Sequence, residues 1–281
     1  MAQISNGHLP TVDSTRITVP VIAGTNRLEP RLRQHTTRST RGHPTVVDLL
    51  LRPTPVRARF RLSPSDLTFL WEECSKCFYE KYHRLGSRPR IPFPSVFTRI
   101  DNAMRAYFVG KSTAEVSPLL PPGHLTCEEA FIVSQDIIVP GREATCYIAG
   151  KTDCLAHFTT GGYGIVDFKT TEHKDARLAL YRRQLAAYAY CLEHPAPHSL
   201  HLSPVTHLGL LCVEPRQMLT IVGNRRNYLF MGAPAWKPCS IAESEFVEFI
   251  GQVLDVLMLP VAPTANAACP FCAYRVGSGR A

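Results

Sequence analysis

Two short stretches, Gly150-Lys-Thr-Asp153 and Asp167-Phe-Lys169, decide the fold of this chain. Each belongs to an apolar, strand-like segment, and the glycine-rich residues 160–164 between them have the composition of a turn. Because side chains alternate along a strand, Asp167 and Lys169 project from the same face. We therefore expect an antiparallel hairpin that brings Asp153 beside Asp167.

The two carboxylates and the lysine suit a metal-dependent hydrolytic site. Two buried like charges are costly unless a cation compensates them, and Mg²⁺ prefers oxygen ligands of this kind. Such an ion activates water for attack on a phosphodiester, and Lys169 is suited to stabilise the developing charge. A surface hairpin with two ordinary acids and a lysine fits the same residues, so this segment alone leaves both interpretations open.

A second pair of polar residues follows on a predicted helix over residues 175–193. Gln184 and Tyr188 are four residues apart and so lie on one helix face, with Arg182 and Arg183 just before them. By themselves they favour a core tyrosine beside a solvated arginine pair.

The predicted elements form an α/β domain. Besides residues 175–193, we predict helices over 63–83 and 95–109, and a last helix that the capping box Ser240-Ile-Ala-Glu243 opens and Pro260 ends. Strands are predicted over residues 131–139, 144–149, 152–158, 165–169, 206–213 and 219–222. Two helices precede a β-meander, which argues against a strictly alternating doubly wound sheet.

The basic charge is concentrated at the N-terminal end. The 281 residues carry a net charge of +8, and residues 1–61 hold ten arginines, no lysine and three acids, so the remainder is nearly neutral. The overall charge therefore gives no sign that the folded part binds nucleic acid. We interpret residues 1–60, rich in Pro, Arg and Thr, as a flexible basic arm, as translated sequence upstream of the true start, or as a transit peptide.

Apolar runs long enough to span a membrane are absent from the sequence, and no secretory signal is visible. Ten cysteines in such a chain predict a reducing, cytoplasmic environment. We expect six of them to be ordinary buried side chains. The other four form two Cys-x-x-Cys pairs, Cys74/Cys77 and Cys269/Cys272. Four thiolates suffice for a tetrahedral Zn²⁺ or a [4Fe–4S] cluster; unliganded thiols and a redox-active dithiol are the alternatives.

The order of these motifs resembles the RecB-like branch of the PD-(D/E)XK nuclease superfamily. The resemblance covers residues 62–275 and includes Glu128-Glu129, Gly150-Lys-Thr-Asp153, Asp167-Phe-Lys169-Thr, Gln184-Leu-Ala-Ala-Tyr188 and the segment from Leu62 to Tyr79. It implies a restriction-endonuclease-like mixed sheet flanked by helices over residues 61–281. Several RecB-like and CRISPR-associated nucleases also join their two ends through an iron–sulfur cluster, which favours a [4Fe–4S] cluster over Zn²⁺ in a four-cysteine clamp.

The resemblance also implies roles for individual residues. Asp153 and Asp167 would ligate Mg²⁺ or Mn²⁺, with the backbone carbonyl of Phe168 as a further donor, and Lys169 would be catalytic. Gln184 and Tyr188 would contact or position the DNA strand.

One departure from the family pattern concerns the helix before the sheet. RecB-like nucleases usually carry a metal-ligating histidine there, and residues 97–105 contain none. Asp101 is the best substitute as an oxygen donor, with a solvated helix residue as the alternative, and Glu129 is a weaker candidate ligand.

The resemblance implies a metal-dependent DNA nuclease that acts on single-stranded DNA or duplex ends, in repair, recombination or defence. Because the sequence contains no GxxxxGK[ST] motif, any unwinding must come from a partner such as a helicase. A catalytically inactive DNA-binding or scaffold protein of the same fold is the alternative, and a plain four-cysteine zinc protein is a third.

Overall fold

The computed structural model describes residues 57–85, 88, 94–171, 175–222, 226–240 and 242–278. Eight strands are present in this part of the chain: β1 (Arg59–Leu62), β2 (Gly123–Thr126), β3 (Ala130–Val133), β4 (Thr145–Thr152), β5 (Cys154–Phe158), β6 (Tyr163–Lys169), β7 (Val205–Val222) and β8 (Arg226–Cys239). The longer helices are α1 (Ser75–Tyr82), α2 (Ser95–Phe108), α3 (Asp175–Glu193), α4 (Glu243–Leu257) and α5 (Pro270–Gly277).

The strands form two sheets that meet at Asp153. One sheet has the order β1-β4-β3 and the other β2-β5-β6-β7-β8. Strands β1/β4 and β6/β7 pair in parallel and the other neighbours pair antiparallel, so the mixed architecture predicted from the sequence is confirmed. Because β4 ends at Thr152 and β5 begins at Cys154, the chain passes from one sheet to the other at Asp153.

Apolar side chains from the sheets form two cores. The larger packs Ile148 of β4 and Ile165 of β6 against Leu185 of α3 and Leu254 of α4. The smaller lies between α2 and the β2-β5-β6 strands and includes Phe108. The strands around the acid pair are thus held by helices, which fixes the position of the side chains that they carry.

The first predicted helix is broken at Cys74. A π-helical turn (Asp66–Leu70) and a short helical turn (Trp71–Glu73) precede it, Cys74 itself is extended, and α1 starts at the next residue. The predicted capping box at Ser240 is also wrong: α4 has Ala242 as its N-cap with no side-chain hydrogen bond. The backbone carbonyl of Ser240 instead accepts hydrogen bonds from Arg182.

The predicted strands differ from the structure in number and in bounds. The strand predicted over 131–139 is only β3, which ends at Val133, and β2 was not predicted. The segments 206–213 and 219–222 are parts of one long strand, β7, whose register shifts between Pro215 and Gln217. Its partner β8 was not predicted. Strand β1 begins at Arg59, inside the segment assigned to the basic arm.

The arm itself, up to residue 56, lies outside the described residues. Within the described part of the chain, no helix is long and apolar enough to cross a membrane. Cys127 and Cys154 are joined by a disulfide, whereas the sequence predicted ordinary buried thiols at both positions.

Candidate active site and four-cysteine cluster

The predicted hairpin forms and brings the two aspartates together. Strands β5 and β6 pair with Cys154 opposite Val166, which places Asp153 across from Asp167. Asp167 is almost fully buried at 2% exposure, and its carboxylate forms an ion pair with the ammonium of Lys169. The backbone N–H of Phe168 donates to Asp153 Oδ2 over 3.0 Å, so the neighbouring strand fixes the orientation of this carboxylate.

The site opens into a cavity of about 470 Å³. Asp153, Phe168 and Lys169 line it together with Asp101 from α2 and Tyr181 from α3. The ammonium of Lys169 lies 5.0 Å from the centroid of the Tyr181 ring. A substrate entering this cavity would therefore meet the carboxylates of Asp101 and Asp153 and the ammonium of Lys169.

Burial and mutual repulsion perturb the acids and the lysine. Burial raises the pKa of Asp153 and the charge of Asp167 adds to this rise, while Lys169 and Arg105 oppose it, and the resulting pKa is about 7. Burial alone would lower the pKa of Lys169, but its ion pair with Asp167 outweighs burial and raises that pKa. Without a further cation, the site therefore holds Asp153 close to protonation and Lys169 firmly charged.

An arginine that sequence reasoning missed connects the candidate acidic ligands. Arg105 of α2 donates to Asp101 over 2.7 Å and to Asp153 over 2.9 Å, and its other terminal nitrogen lies 2.9 Å from Glu129. Its side chain is only 15% exposed. The one available signal was the helical i,i+4 spacing of Asp101 and Arg105. Arg105 thus supplies internal positive charge to three carboxylates.

The two weaker candidate ligands are both brought to this arginine. Asp101 also lines the cavity, which places it on the same side as Asp153. Glu129 is more exposed and pairs with Lys151 over 2.7 Å as well as with Arg105. Asp101 is therefore the better placed of the two.

Gln184 and Tyr188 lie in the interior behind the site. Both are 6% exposed, and the amide nitrogen of Gln184 donates to the Tyr188 hydroxyl over 2.9 Å. The pKa of this tyrosine is raised by burial and by the charges of Asp167 and Asp153, which shows how near the acid pair is. The amide oxygen of Gln184 has no hydrogen-bond partner among the described residues.

Position 150, the first residue of Gly150-Lys-Thr-Asp153, must be glycine for a steric reason. A Cβ at Gly150 would lie 2.8 Å from the Pro64 ring and 3.3 Å from the Tyr188 ring. Both distances are shorter than ordinary van der Waals contacts. The absent side chain therefore lets the segment after β1 and helix α3 pack on the strand that carries Asp153.

The two Cys-x-x-Cys pairs meet although they are far apart in sequence. The four sulfurs of Cys74, Cys77, Cys269 and Cys272 lie within 4.8 Å of one another, and all four residues are buried. The closest pairs are Cys77–Cys272 at 3.5 Å, Cys74–Cys272 at 3.8 Å and Cys77–Cys269 at 3.8 Å. A buried cluster of four potential thiolate ligands is a possible metal site.

The surroundings favour negative charge on at least one sulfur. Burial alone would raise the pKa of Cys269, but hydrogen bonds from Cys272 and the neighbouring thiols lower it to about 7. Arg88 also donates to the Cys269 sulfur over 3.4 Å. A metal ion requires deprotonated thiols, so these contacts suit ligation.

Other contacts join the same two ends of the domain. Arg275 of α5 pairs with Glu80 of α1 over 2.6 Å, and the Tyr79 hydroxyl donates to the Leu259 carbonyl over 3.0 Å. His83 is half-buried, and its Nε2 lies 2.8 Å from the Leu257 carbonyl. The cysteine cluster is therefore one part of a larger contact between the N-terminal and C-terminal helices.

Comparison with known proteins identifies the family. The model of the PD-(D/E)XK nuclease superfamily matches residues 61–276, so the chain belongs to this superfamily. No curated protein matches it. Among solved structures, the chain is similar to the crystal structure of SSO0001, with 16% identity, a TM-score of 0.41, and coverage of 82% of this chain and 89% of that one.

Proposed function

We propose that this protein is a divalent-metal-dependent deoxyribonuclease of the RecB-like branch. One observation carries the proposal: Asp153 and Lys169 line a single cavity, with Asp167 buried against Lys169, in a chain that belongs to a nuclease superfamily. The order of motifs from Gly150 to Tyr188 supports the RecB-like assignment. The site supplies acidic ligands and a cation, the groups that phosphodiester hydrolysis requires.

The donor set fits Mg²⁺ or Mn²⁺. All the candidate side-chain donors are carboxylate oxygens, and Asp167 Oδ2 is buried with no hydrogen bond from the described residues apart from its ion pair with Lys169. Asp153 and Asp167 would hold the ion, with Asp101 as a third carboxylate and Glu129 farther out. When bound, the ion would polarise the scissile phosphate and lower the pKa of a water molecule.

The protein's own groups would position and compensate charge. Lys169 keeps its proton and lies against Asp167, so its ammonium would stabilise negative charge that develops on the phosphate. The Phe168 N–H holds Asp153 in one orientation. The positive charge of Arg105 compensates the carboxylates of Asp101, Glu129 and Asp153. A bound metal ion would take over part of this compensation.

We assign Gln184 and Tyr188 a positioning role. Their burial and their mutual hydrogen bond suit residues that support the hairpin from behind, and the tyrosine packs directly at Gly150. The unpartnered amide oxygen of Gln184 leaves one acceptor for a group that enters the site.

The substrate that we propose is single-stranded DNA or a duplex end, in repair, recombination or defence. A helicase or another protein of such a pathway is the proposed partner. These assignments rest on the family resemblance, and the cytoplasm is the proposed location because eight of the ten cysteines are free thiols.

The test is a cleavage assay on labelled single-stranded and duplex DNA, with and without Mg²⁺ or Mn²⁺. The wild type should cleave only with metal, and Asp167→Ala and Lys169→Ala should abolish cleavage. Lys111→Ala, at an exposed lysine on the loop after α2, is the matched control and should cleave normally. A well-folded wild type that binds DNA but never cleaves it would instead support the inactive scaffold.

We further propose that the four cysteines hold one metal centre that clamps the two ends of the domain. A tetrahedral ion with metal–sulfur bonds of about 2.3 Å spaces its thiolates about 3.8 Å apart, close to the separations of 3.5 and 3.8 Å here. That spacing favours a single ion such as Zn²⁺, because a [4Fe–4S] cluster has a separate iron for each thiolate and needs more room.

Anaerobic purification with elemental analysis distinguishes these outcomes. One zinc per chain and a colourless protein would support the single ion, and iron with broad visible absorbance would support the [4Fe–4S] cluster. Neither metal, with four freely titratable thiols in the folded protein, would contradict the clamp.

A further inference from the structure

The three-stranded sheet has one face on the core and one face toward solvent. On β1, Phe60 and Leu62 contact the larger core, and the alternate residues Arg59 and Arg61 are exposed. Tyr147 of β4 lies directly opposite Arg61 and therefore shares its face. The solvent side of this sheet thus combines arginines with an aromatic ring.

The third strand extends the same pattern. Phe131 of β3 pairs with Lys151 of β4, and Lys151 and Tyr147 lie on one side of their strand because they are four residues apart. Phe131 is 54% exposed, so its ring is accessible to a ligand. We call Arg59, Arg61, Phe131 and Tyr147 the arginine–aromatic face.

Each arginine on this face is stacked against a ring. The guanidinium carbon of Arg59 lies 4.1 Å from the centroid of Tyr147, and that of Arg61 lies 5.9 Å from the centroid of Phe131. The face therefore presents guanidinium groups and ring surfaces together.

A positively charged groove adjoins the face. A cavity of about 510 Å³ is lined by Arg59, Arg61, Lys81 and Arg84, together with aromatic side chains. Arg59 pairs with Asp136 and Lys81 with Asp66, while none of the described acids forms an ion pair with Arg61 or Arg84. Positive charge is therefore left over for a negatively charged ligand.

The face leads to the proposed active site. At its far end Lys151 pairs with Glu129, which pairs with Arg105, which binds Asp153. Asp153 is six positions beyond Tyr147 along β4 and its continuation, which is about 20 Å at about 3.3 Å per residue. A ligand covering both places must be an extended polymer of several repeating units.

We infer that the arginine–aromatic face is the surface on which single-stranded DNA lies as it enters the active site. Arginines neutralise phosphates, and exposed rings stack on bases that are free of a partner strand. In a duplex the bases are paired and stacked on one another, so no base is free to stack on the ring of Phe131. The inference rests on the proposed nuclease function and names the substrate form and the surface that selects it.

Binding, measured apart from cleavage, tests the inference. In an Asp167→Asn background, fluorescence anisotropy with a labelled oligothymidylate of about twelve nucleotides should show about tenfold weaker binding for Phe131→Ala. Arg59→Ala with Arg61→Ala should weaken binding and flatten the salt dependence by about 0.7 per arginine in the log–log slope. Arg142→Ala, an exposed arginine paired with Asp255, is the control and should bind normally.

Two further measurements separate stacking from charge. Arg61→Lys should keep the salt slope but bind more weakly, because a lysine retains the charge and loses the planar stack. Phe131→Ala should weaken binding to single strands more than to a blunt duplex of equal length. Unfolding curves would verify that each variant is folded.

Unchanged affinity in both Phe131→Ala and the double arginine variant would overturn the inference, as would equal losses for single-stranded and duplex DNA. Because the background is inactive by design, these results do not depend on cleavage. If the wild-type protein cleaves no DNA, the proposed nuclease function is refuted. The binding measurements would still test whether the arginine–aromatic face binds single-stranded DNA.

Discussion

Replacing Asp153 by asparagine should change how the stability of the protein depends on pH. In the folded state burial and Asp167 raise the pKa of Asp153 to about 7, against about 3.8 for the ordinary group. An acid whose pKa is raised by folding retains its proton in the folded state while the unfolded chain loses it. The free energy of unfolding must therefore fall as pH rises from about 4 to about 7.

The magnitude follows from the two pKa values. Between pH 5 and pH 8 the ionisation of Asp153 should cost the folded wild type about 2.5 kcal/mol. Asparagine has nearly the same shape and no proton to lose, so Asp153→Asn should lack this loss. The free energy of unfolding of the variant, relative to that of the wild type, should therefore rise by about 2.5 kcal/mol between pH 5 and pH 8.

Urea unfolding at pH 5, 6, 7 and 8 measures this difference. The protein should be dialysed against metal-free buffer without chelator, so that a metal at the cysteines is not removed. Asp136→Asn, which removes an exposed acid paired with Arg59, is the control and should follow the wild type. Parallel stability curves for Asp153→Asn and the wild type would refute the electrostatic description of the site.

Three further variants test the other contacts. Calorimetry should show that Arg105→Gln binds Mn²⁺ at least about tenfold more tightly than the wild type, because removing a competing cation lowers the binding free energy by at least about 1.4 kcal/mol. The control Arg142→Gln should bind Mn²⁺ like the wild type. Weaker binding in Arg105→Gln would show that the arginine organises the ligands instead. Cys269→Ser should lose the bound metal and melt at a lower temperature, while Cys239→Ser keeps the metal; retained metal in both would rule out the clamp. Gly150→Ala should lower the free energy of unfolding by about 1–3 kcal/mol in urea, because its Cβ meets the proline and tyrosine rings, and full stability would show that those rings can move.

Local patterns predicted the centre of the fold well. The hairpin and its facing aspartates followed from strand alternation and a glycine-rich turn, and helix α3 has the predicted bounds of 175–193. These features depend on residues close together in sequence. Their periodicity is enough to determine which side chains share a face.

The long β7–β8 ribbon was missed because prolines interrupt it. The predicted strand 206–213 stops just before Pro215, which the structure accommodates at a shift of register. Pro234 and Pro238 lie in β8, which is the edge strand of its sheet. An edge strand tolerates residues without an N–H donor, so sequence alone underestimates its length.

Tertiary contacts account for the remaining differences. Helix propensity predicts one helix through Cys74, whereas the chain is extended there, next to the cysteines that arrive from the other end of the domain. Arg105 looks like an ordinary helical arginine until the fold places Glu129 and Asp153 around it. No local pattern contains either fact, because each depends on residues 24 or more positions away.

The most direct test of the central claim combines Mn²⁺ binding and DNA cleavage in the same samples. Electron paramagnetic resonance would count bound Mn²⁺ in the wild type and in Asp167→Asn, while a gel follows cleavage of labelled single-stranded DNA. The account predicts that the wild type binds Mn²⁺ and cleaves in proportion to the occupied fraction, and that Asp167→Asn loses both. Undiminished cleavage by Asp167→Asn, or cleavage by the wild type with no Mn²⁺, Mg²⁺ or other divalent ion present, would contradict it.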